Sequence, residues 1–128
     1  MKKLIMVFVV LLLIMPTASA YYYNDIRAKG KELGNPGKIY GYLWGTTNYH
    51  RPVYRISLRD YWEDRTGDCT EVAKATYIMY KAIGLKARIS RGYQEGVKHD
   101  YTEYWNETQW KWVSVDLNVT REGRGIWK

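Results

Sequence analysis

Gly67-Asp68-Cys69-Thr70-Glu71-Val72-Ala73-Lys74-Ala75-Thr76-Tyr77-Ile78-Met79-Tyr80-Lys81-Ala82-Ile83-Gly84 is the stretch that decides the fold. Cys69, Val72, Ala73, Thr76, Met79, Tyr80 and Ile83 recur at intervals of three and four, the period of one apolar helix face. Asp68 predicts the N-cap, Glu71 completes a capping box with it, and Gly84 supplies a left-handed stop. The helix so defined holds the chain's single cysteine in its first turn. A sulfur there lies beside unpaired backbone N–H groups and the positive end of the helix dipole, the setting in which cysteine nucleophiles are activated. A cysteine in that place can equally pack into a core, so position alone leaves both roles open.

Downstream the pattern changes to strands. Residues 87–93 are short and mixed, Gly96 punctuates, and residues 99–105 and 110–116 form two runs rich in aromatic and β-branched residues. Asn106-Glu107-Thr108-Gln109 joins them as a hairpin loop. If that loop is symmetric, Trp105 faces Trp110, paired residue numbers sum to 215, and His99 faces Asp116. Cross-strand partners share a face with Cβ atoms about 4.5–5.5 Å apart, so an imidazole N–H can reach the carboxylate. An acid so placed fixes the histidine tautomer and supports the imidazolium formed when a thiol gives up its proton. A register slip of one residue would turn the two to opposite faces. His50, in Tyr49-His50-Arg51-Pro52, is the rival base, in a loop with no acid nearby.

Upstream, Ser57 caps a second helix in which Leu58, Tyr61 and Trp62 share a face and which stops near Thr66-Gly67. A short helix is expected over residues 24–33, with Gly34 as its stop. Residues 34–52 read as loops with at most one irregular strand, because Gly34-Asn35-Pro36-Gly37 is a strong turn signal and little periodicity follows. The chain opens with Met1-Lys2-Lys3, an apolar run over residues 4–15, Pro16 and then Thr17-Ala18-Ser19-Ala20. That is the order of a cleaved secretory leader, with cleavage expected after Ala20 and an apolar run too short to span a bilayer. Residues 21–128 are expected to form one domain, since 108 residues cannot build two cores of ordinary size. The tail over residues 118–128 reads as featureless apart from Ile126-Trp127, which could dock back on the body.

The full chain carries 20 Lys+Arg and 13 Asp+Glu, a formal +7; without Lys2 and Lys3 the domain keeps +5. Its basic residues are scattered with no block of like charge, which argues against nucleic acid as a partner. Thirteen Tyr and six Trp against one Phe mean that rings with polar handles must supply core volume, and they could also line a groove. A lone cysteine in an exported chain excludes disulfides within the chain and zinc sites built on several thiolates. Asn106-Glu107-Thr108 and Asn118-Val119-Thr120 fit the glycosylation acceptor pattern.

Four blocks, in order and with their spacings, resemble the transglutaminase-like superfamily: Gly67-Asp68-Cys69-Thr70-Glu71-Val72-Ala73; Ala82-Ile83-Gly84-Leu85-Lys86-Ala87-Arg88-Ile89-Ser90-Arg91-Gly92-Tyr93; His99-Asp100-Tyr101-Thr102-Glu103; and Trp112-Val113-Ser114-Val115-Asp116. The match spans residues 57–118. The resemblance implies an α+β, papain-like core in which the cysteine-bearing helix packs on a small antiparallel sheet. It implies Cys69 as nucleophile, His99 as base and Asp116 as orienting acid, acting through a thioester with no metal or cofactor. The family includes cross-linking enzymes, peptidases, amidases and archaeal cell-wall endoisopeptidases. Tyr101 stands where tryptophan is frequent, and Leu117 where proline is common. The backbone N–H of Cys69 is expected to form part of an oxyanion hole, with Trp62 or Tyr61 as candidates for the second donor, although both can equally be core packing.

The expected function is cysteine-dependent acyl transfer on an amide or isopeptide bond of an extracellular protein, peptide or cell-wall polymer, by a monomer with no membrane span once the leader is removed. Hydrolysis is favoured over cross-linking on family analogy alone. The competing reading is a catalytically silent module that holds an extracellular peptide or glycan in its aromatic groove.

Overall fold

The structure is a computed structural model and describes residues 18–51, 54–115 and 120–127. Its elements are α1 (Ala18–Leu33), α2 (Pro36–Thr46), β1 (Asn48–Tyr49), α3 (Leu58–Asp64), β2 (Thr66–Gly67), α4 (Cys69–Ala82), β3 (Ala87–Gln94), β4 (Val97–Asn106), β5 (Lys111–Val113) and β6 (Thr120–Trp127). The α+β class and the packing of the cysteine-bearing helix on a small antiparallel sheet are both as expected.

The helix over 24–33 extends back to Ala18, through the expected leader cleavage site, and stops where Gly34 turns left-handed at φ 80°. The next segment departs from the loop reading: α2 occupies it. Gly34-Asn35-Pro36-Gly37 is a helix stop fused to a helix start. Asn35 caps α2 by accepting the Lys38 N–H at 2.9 Å, and Pro36 takes the first helical position, where its missing N–H costs nothing. Glycines at 37, 41 and 45 dilute the apolar pattern to Ile39 and Leu43, which are fully buried.

α3 begins at Ser57, whose hydroxyl accepts the Asp60 N–H at 3.1 Å, and ends on Arg65 at φ 60°. α4 has both halves of its expected capping box and is followed by Gly84 at φ 84°. The core lies between the helices and the sheet: Ile26, Ile39, Leu43 and Tyr61 pack with Val72, Ala75, Met79 and Ala87. Tyr80 joins them, and its burial pushes the phenol well above its ordinary pKa.

The antiparallel sheet runs β5-β4-β3-β6. β3 and β4 pair from Ala87↔Tyr104 to Gln94↔Val97, closed by Glu95 and Gly96 at φ 51° and 79°. The β4–β5 register corrects the sequence reading, since Trp105 pairs with Trp112 and Asn106 with Lys111, so partners sum to 217 rather than 215. Asn106 stays in the strand and Trp110, at φ 53°, belongs to the turn. Each residue therefore meets a partner two positions further on, a shift that preserves faces but changes pairs. Asp116 lies outside the described residues. The tail contributes a full strand, β6, paired with β3 at Ile89↔Trp127 and Gly92↔Arg121. Its glycines and charges hide strand propensity, which matters little where backbone pairing on an existing edge does the holding.

Candidate functional site

Cys69 opens α4 and is 9 % exposed, buried against the fold yet reachable at its surface. The backbone around it is tied down on both sides. Asp68 N–H donates to Glu71 Oε2 at 3.0 Å, Thr70 N–H to Asp68 Oδ1 at 2.9 Å, and Val72 N–H to the Asp68 carbonyl at 3.2 Å. Burial, together with the neighbouring Asp68, raises the Glu71 carboxyl above its ordinary value. Gly67 is required just upstream: a Cβ there would lie 2.9 Å from the Tyr61 ring and 3.2–3.3 Å from Glu71.

β4 uses its two faces differently. Asp100, Thr102 and Tyr104 face α4, where Thr70 Oγ1 donates to Asp100 Oδ2 at 2.9 Å, Thr102 Oγ1 donates to the Ala73 carbonyl at 2.7 Å, and the Tyr104 ring meets Tyr80 edge-on at 5.6 Å. His99, Tyr101 and Glu103 take the opposite face. His99 is buried, and its ring lies nearly parallel to that of Tyr101, 6.4 Å away at 11°. Glu103, fully buried, accepts from Ser90 Oγ at 2.6 Å and Arg88 Nε at 3.1 Å, so this face has its own polar interior.

Tyr49 is the residue that sequence reasoning missed. It pairs with Gly67 in the short parallel β1–β2 ladder, two residues before the cysteine, and stacks on Trp44 at 5.9 Å. Desolvation of its phenol raises its pKa first, and electrostatic interaction with Cys69 and then Asp68 adds to the rise. Tyr49 also lines a cleft of about 330 Å³ with Gln94, Glu95, Val97, Lys98 and His99. Tyr49 thus links the two only indirectly, through the cleft it lines with His99 and an electrostatic interaction with Cys69, while His99 itself stands on the β4 face turned away from α4. A two-residue strand carries no periodicity, so its only sequence signal was an aromatic within a Gly- and Asn-rich stretch.

His50 donates its backbone N–H to the Gly67 carbonyl at 2.8 Å and exposes its side chain. Trp62 packs against the core with the Arg65 guanidinium 3.6 Å above its ring. Tyr61 is fully buried, and its hydroxyl meets Thr47 Oγ1 at 2.6 Å. Among the described residues no group of three or more His, Cys, Asp or Glu could hold a metal ion.

Solved structures share this architecture. A protein from Cytophaga hutchinsonii described as a candidate cysteine protease aligns at TM-score 0.58 and 13 % identity, over 84 % of this chain and 45 % of its own. The periplasmic domain of TgpA from Pseudomonas aeruginosa aligns at TM-score 0.55 and 24 % identity, over 72 % of this chain and 41 % of its own. A structure described as a TGase aligns at TM-score 0.55 and 13 % identity, over 88 % and 37 %. This chain spans less than half the length of each. No curated protein matches it. The family model of the transglutaminase-like superfamily matches residues 21–117, which contain the capped Cys69 turn, the β3–β4 hairpin and His99, and the chain belongs to that superfamily.

Proposed function

We propose that the protein is an exported cysteine-dependent acyl-transfer enzyme acting on amide or isopeptide bonds of a protein, peptide or cell-wall polymer. The observation that carries this reading is the capped first turn of α4, which places Cys69 two residues after Gly67, the ladder partner of the Tyr49 whose cleft His99 also lines. His99 takes the thiol proton as the sulfur attacks the amide carbonyl, and the carbonyl oxygen, now negative, is received by the Cys69 N–H. As the carbon–nitrogen bond breaks, the proton passes from His99 to the departing amine and a thioester remains. Water, or a second amine, then attacks the thioester with His99 again as base, releasing product and restoring the thiol. Asp116 is assigned the orienting role on His99.

For the second oxyanion donor, Tyr49 fits better than Trp62. Tyr49 lines the cleft with a phenol able to donate, whereas Trp62 packs against the core. Export is supported by the order of residues 1–20, and an anionic extracellular polymer would suit the basic domain. Hydrolysis remains the favoured outcome because the cleft lies open beside exposed Tyr49 and Val97, giving water access to the thioester.

The test is acylation by p-nitrophenyl acetate, followed by intact-mass and peptide mapping. Expected are one acetyl group on Cys69, none in Cys69→Ala, slow release in water, and faster release when a primary amine is added only if transfer is the natural outcome. Absence of acetylation at Cys69 in folded protein would overturn the proposal in favour of the binding module.

A further inference from the structure

Asp100 directly follows His99 on β4 and is 6 % exposed, yet the acyl-transfer reading gives it no part. Its carboxylate accepts from three donors. Thr70 Oγ1 donates to Oδ2 at 2.9 Å, Arg91 Nε to Oδ1 at 2.8 Å, and Arg91 Nη2 to Oδ2 at 3.5 Å. Arg91 is also the cross-strand partner of Asp100 in the β3–β4 register. Thr70 directly follows Cys69, and its own N–H is held by the cap residue Asp68 at 2.9 Å. One buried carboxylate therefore joins the residue after the nucleophile to the residue after the base.

We propose that Asp100 is a positioning residue, which fixes the first turn of α4 against β4 and so sets the approach of Cys69 to His99. The inference rests on the acyl-transfer reading above and adds the contact that ties together the two elements carrying its reacting side chains. Packing alone would not call for a carboxylate here, because burying a charge is costly unless it is fully partnered and an apolar residue would fill the place at less cost. The next anchor on the same face, Thr102 to the Ala73 carbonyl, manages with a neutral hydroxyl. On the face toward α4, the carboxylate stands at the end of β4 that carries His99. Charge-assisted hydrogen bonds are shorter and roughly twice as strong as neutral ones, and Arg91 keeps the carboxylate aimed. Misplacement of reacting groups by about 1 Å can cost about 100-fold in rate. Loss of one strut of this clamp should cost less, roughly 10-fold.

The experiment measures the rate constant for alkylation of Cys69 by iodoacetamide in the full chain, for wild type, Thr70→Val, Thr70→Ser and His99→Ala, each with its thermal midpoint. Valine matches threonine in shape and removes only the hydroxyl that donates to Asp100. Expected is a fall of about 10-fold in Thr70→Val at a midpoint close to wild type, recovery to within about 2-fold in Thr70→Ser, and a larger fall in His99→Ala. Wild-type reactivity in Thr70→Val while His99→Ala is slow overturns the positioning role alone. A loss that Thr70→Ser does not restore, or that follows the midpoint down, overturns it too by making the contact purely structural. Equal rates in all four overturn this inference together with the catalytic reading it rests on.

Discussion

Gly30 lies inside α1 near its C-terminal end, and alanine ordinarily improves a helix interior by about 1 kcal/mol. Here the same change should be harmful. A Cβ built on Gly30 lies 2.8 Å from both Cα and Cβ of Met79 and 3.0 Å from its Cγ. Real Cβ contacts do not fall below 3 Å, and the nearest obstacle includes the α4 backbone at Met79, so a rotamer change cannot relieve it. Overpacking of this kind costs about 1–3 kcal/mol, more when the backbone must move. Set against the helix gain, Gly30→Ala should lower stability by up to about 2 kcal/mol, and more if the backbone must move, and each kcal/mol moves the thermal midpoint of a domain this size by roughly 4–8 °C. Gly41, inside α2, has no atom within 4 Å of its would-be Cβ and serves as the internal control. Gly41→Ala should stabilise by about 0.5–1 kcal/mol. Calorimetry or circular dichroism melts of the two variants check the pair. A Gly30→Ala midpoint at or above wild type would refute the reasoning, because the α1–α4 contact would then have room the structure denies.

Two further changes test the platform beneath Cys69. Gly67→Ala pushes on the Tyr61 ring, which is fully buried and pinned through its hydroxyl to Thr47, so a loss of about 1–3 kcal/mol is expected in denaturant melts, together with altered thiol reactivity. The Glu71 carboxyl is raised by burial, so the folded state binds its proton more tightly than the unfolded chain does. Stability should therefore fall as pH rises from the ordinary glutamate range through the raised value, with the loss complete above it. Glu71→Gln keeps an acceptor for the Asp68 N–H and cannot ionise, so denaturation midpoints followed across that window should lack this slope, and identical slopes in the two proteins would contradict the assignment.

Where the sequence was legible, a local physical rule had one outcome. Asp68, Glu71 and Gly84 bracket α4 because capping and left-handed stops are decided within four residues, and Ser57 opens α3 for the same reason. Gly34-Asn35-Pro36-Gly37 was misleading because a tight turn and a stop–start between two helices use the same residues. The β4–β5 register slipped by two because a left-handed Trp110 is not foreseeable from propensity. Among candidate site residues, Cys69 stood out by its helix position and His99 by rarity, while the spacing that paired His99 with Asp116 depended on the register that the structure corrects. Tyr49 and Asp100 did not stand out, since each matters through partners distant in sequence: Gly67 and Trp44 for the one, Thr70 for the other.

The most direct test of the account compares iodoacetamide alkylation of Cys69, at one near-neutral pH, in wild type, His99→Ala, Asp116→Asn and His50→Ala. Activation of the thiol by His99 and Asp116 predicts a fall of at least about 10-fold in His99→Ala, a clear fall in Asp116→Asn, and no change in His50→Ala, losses of the size that general-base partners contribute. Equal rates across the set, or a fall confined to His50→Ala, would contradict the assignment of Cys69 and His99 as the reacting pair.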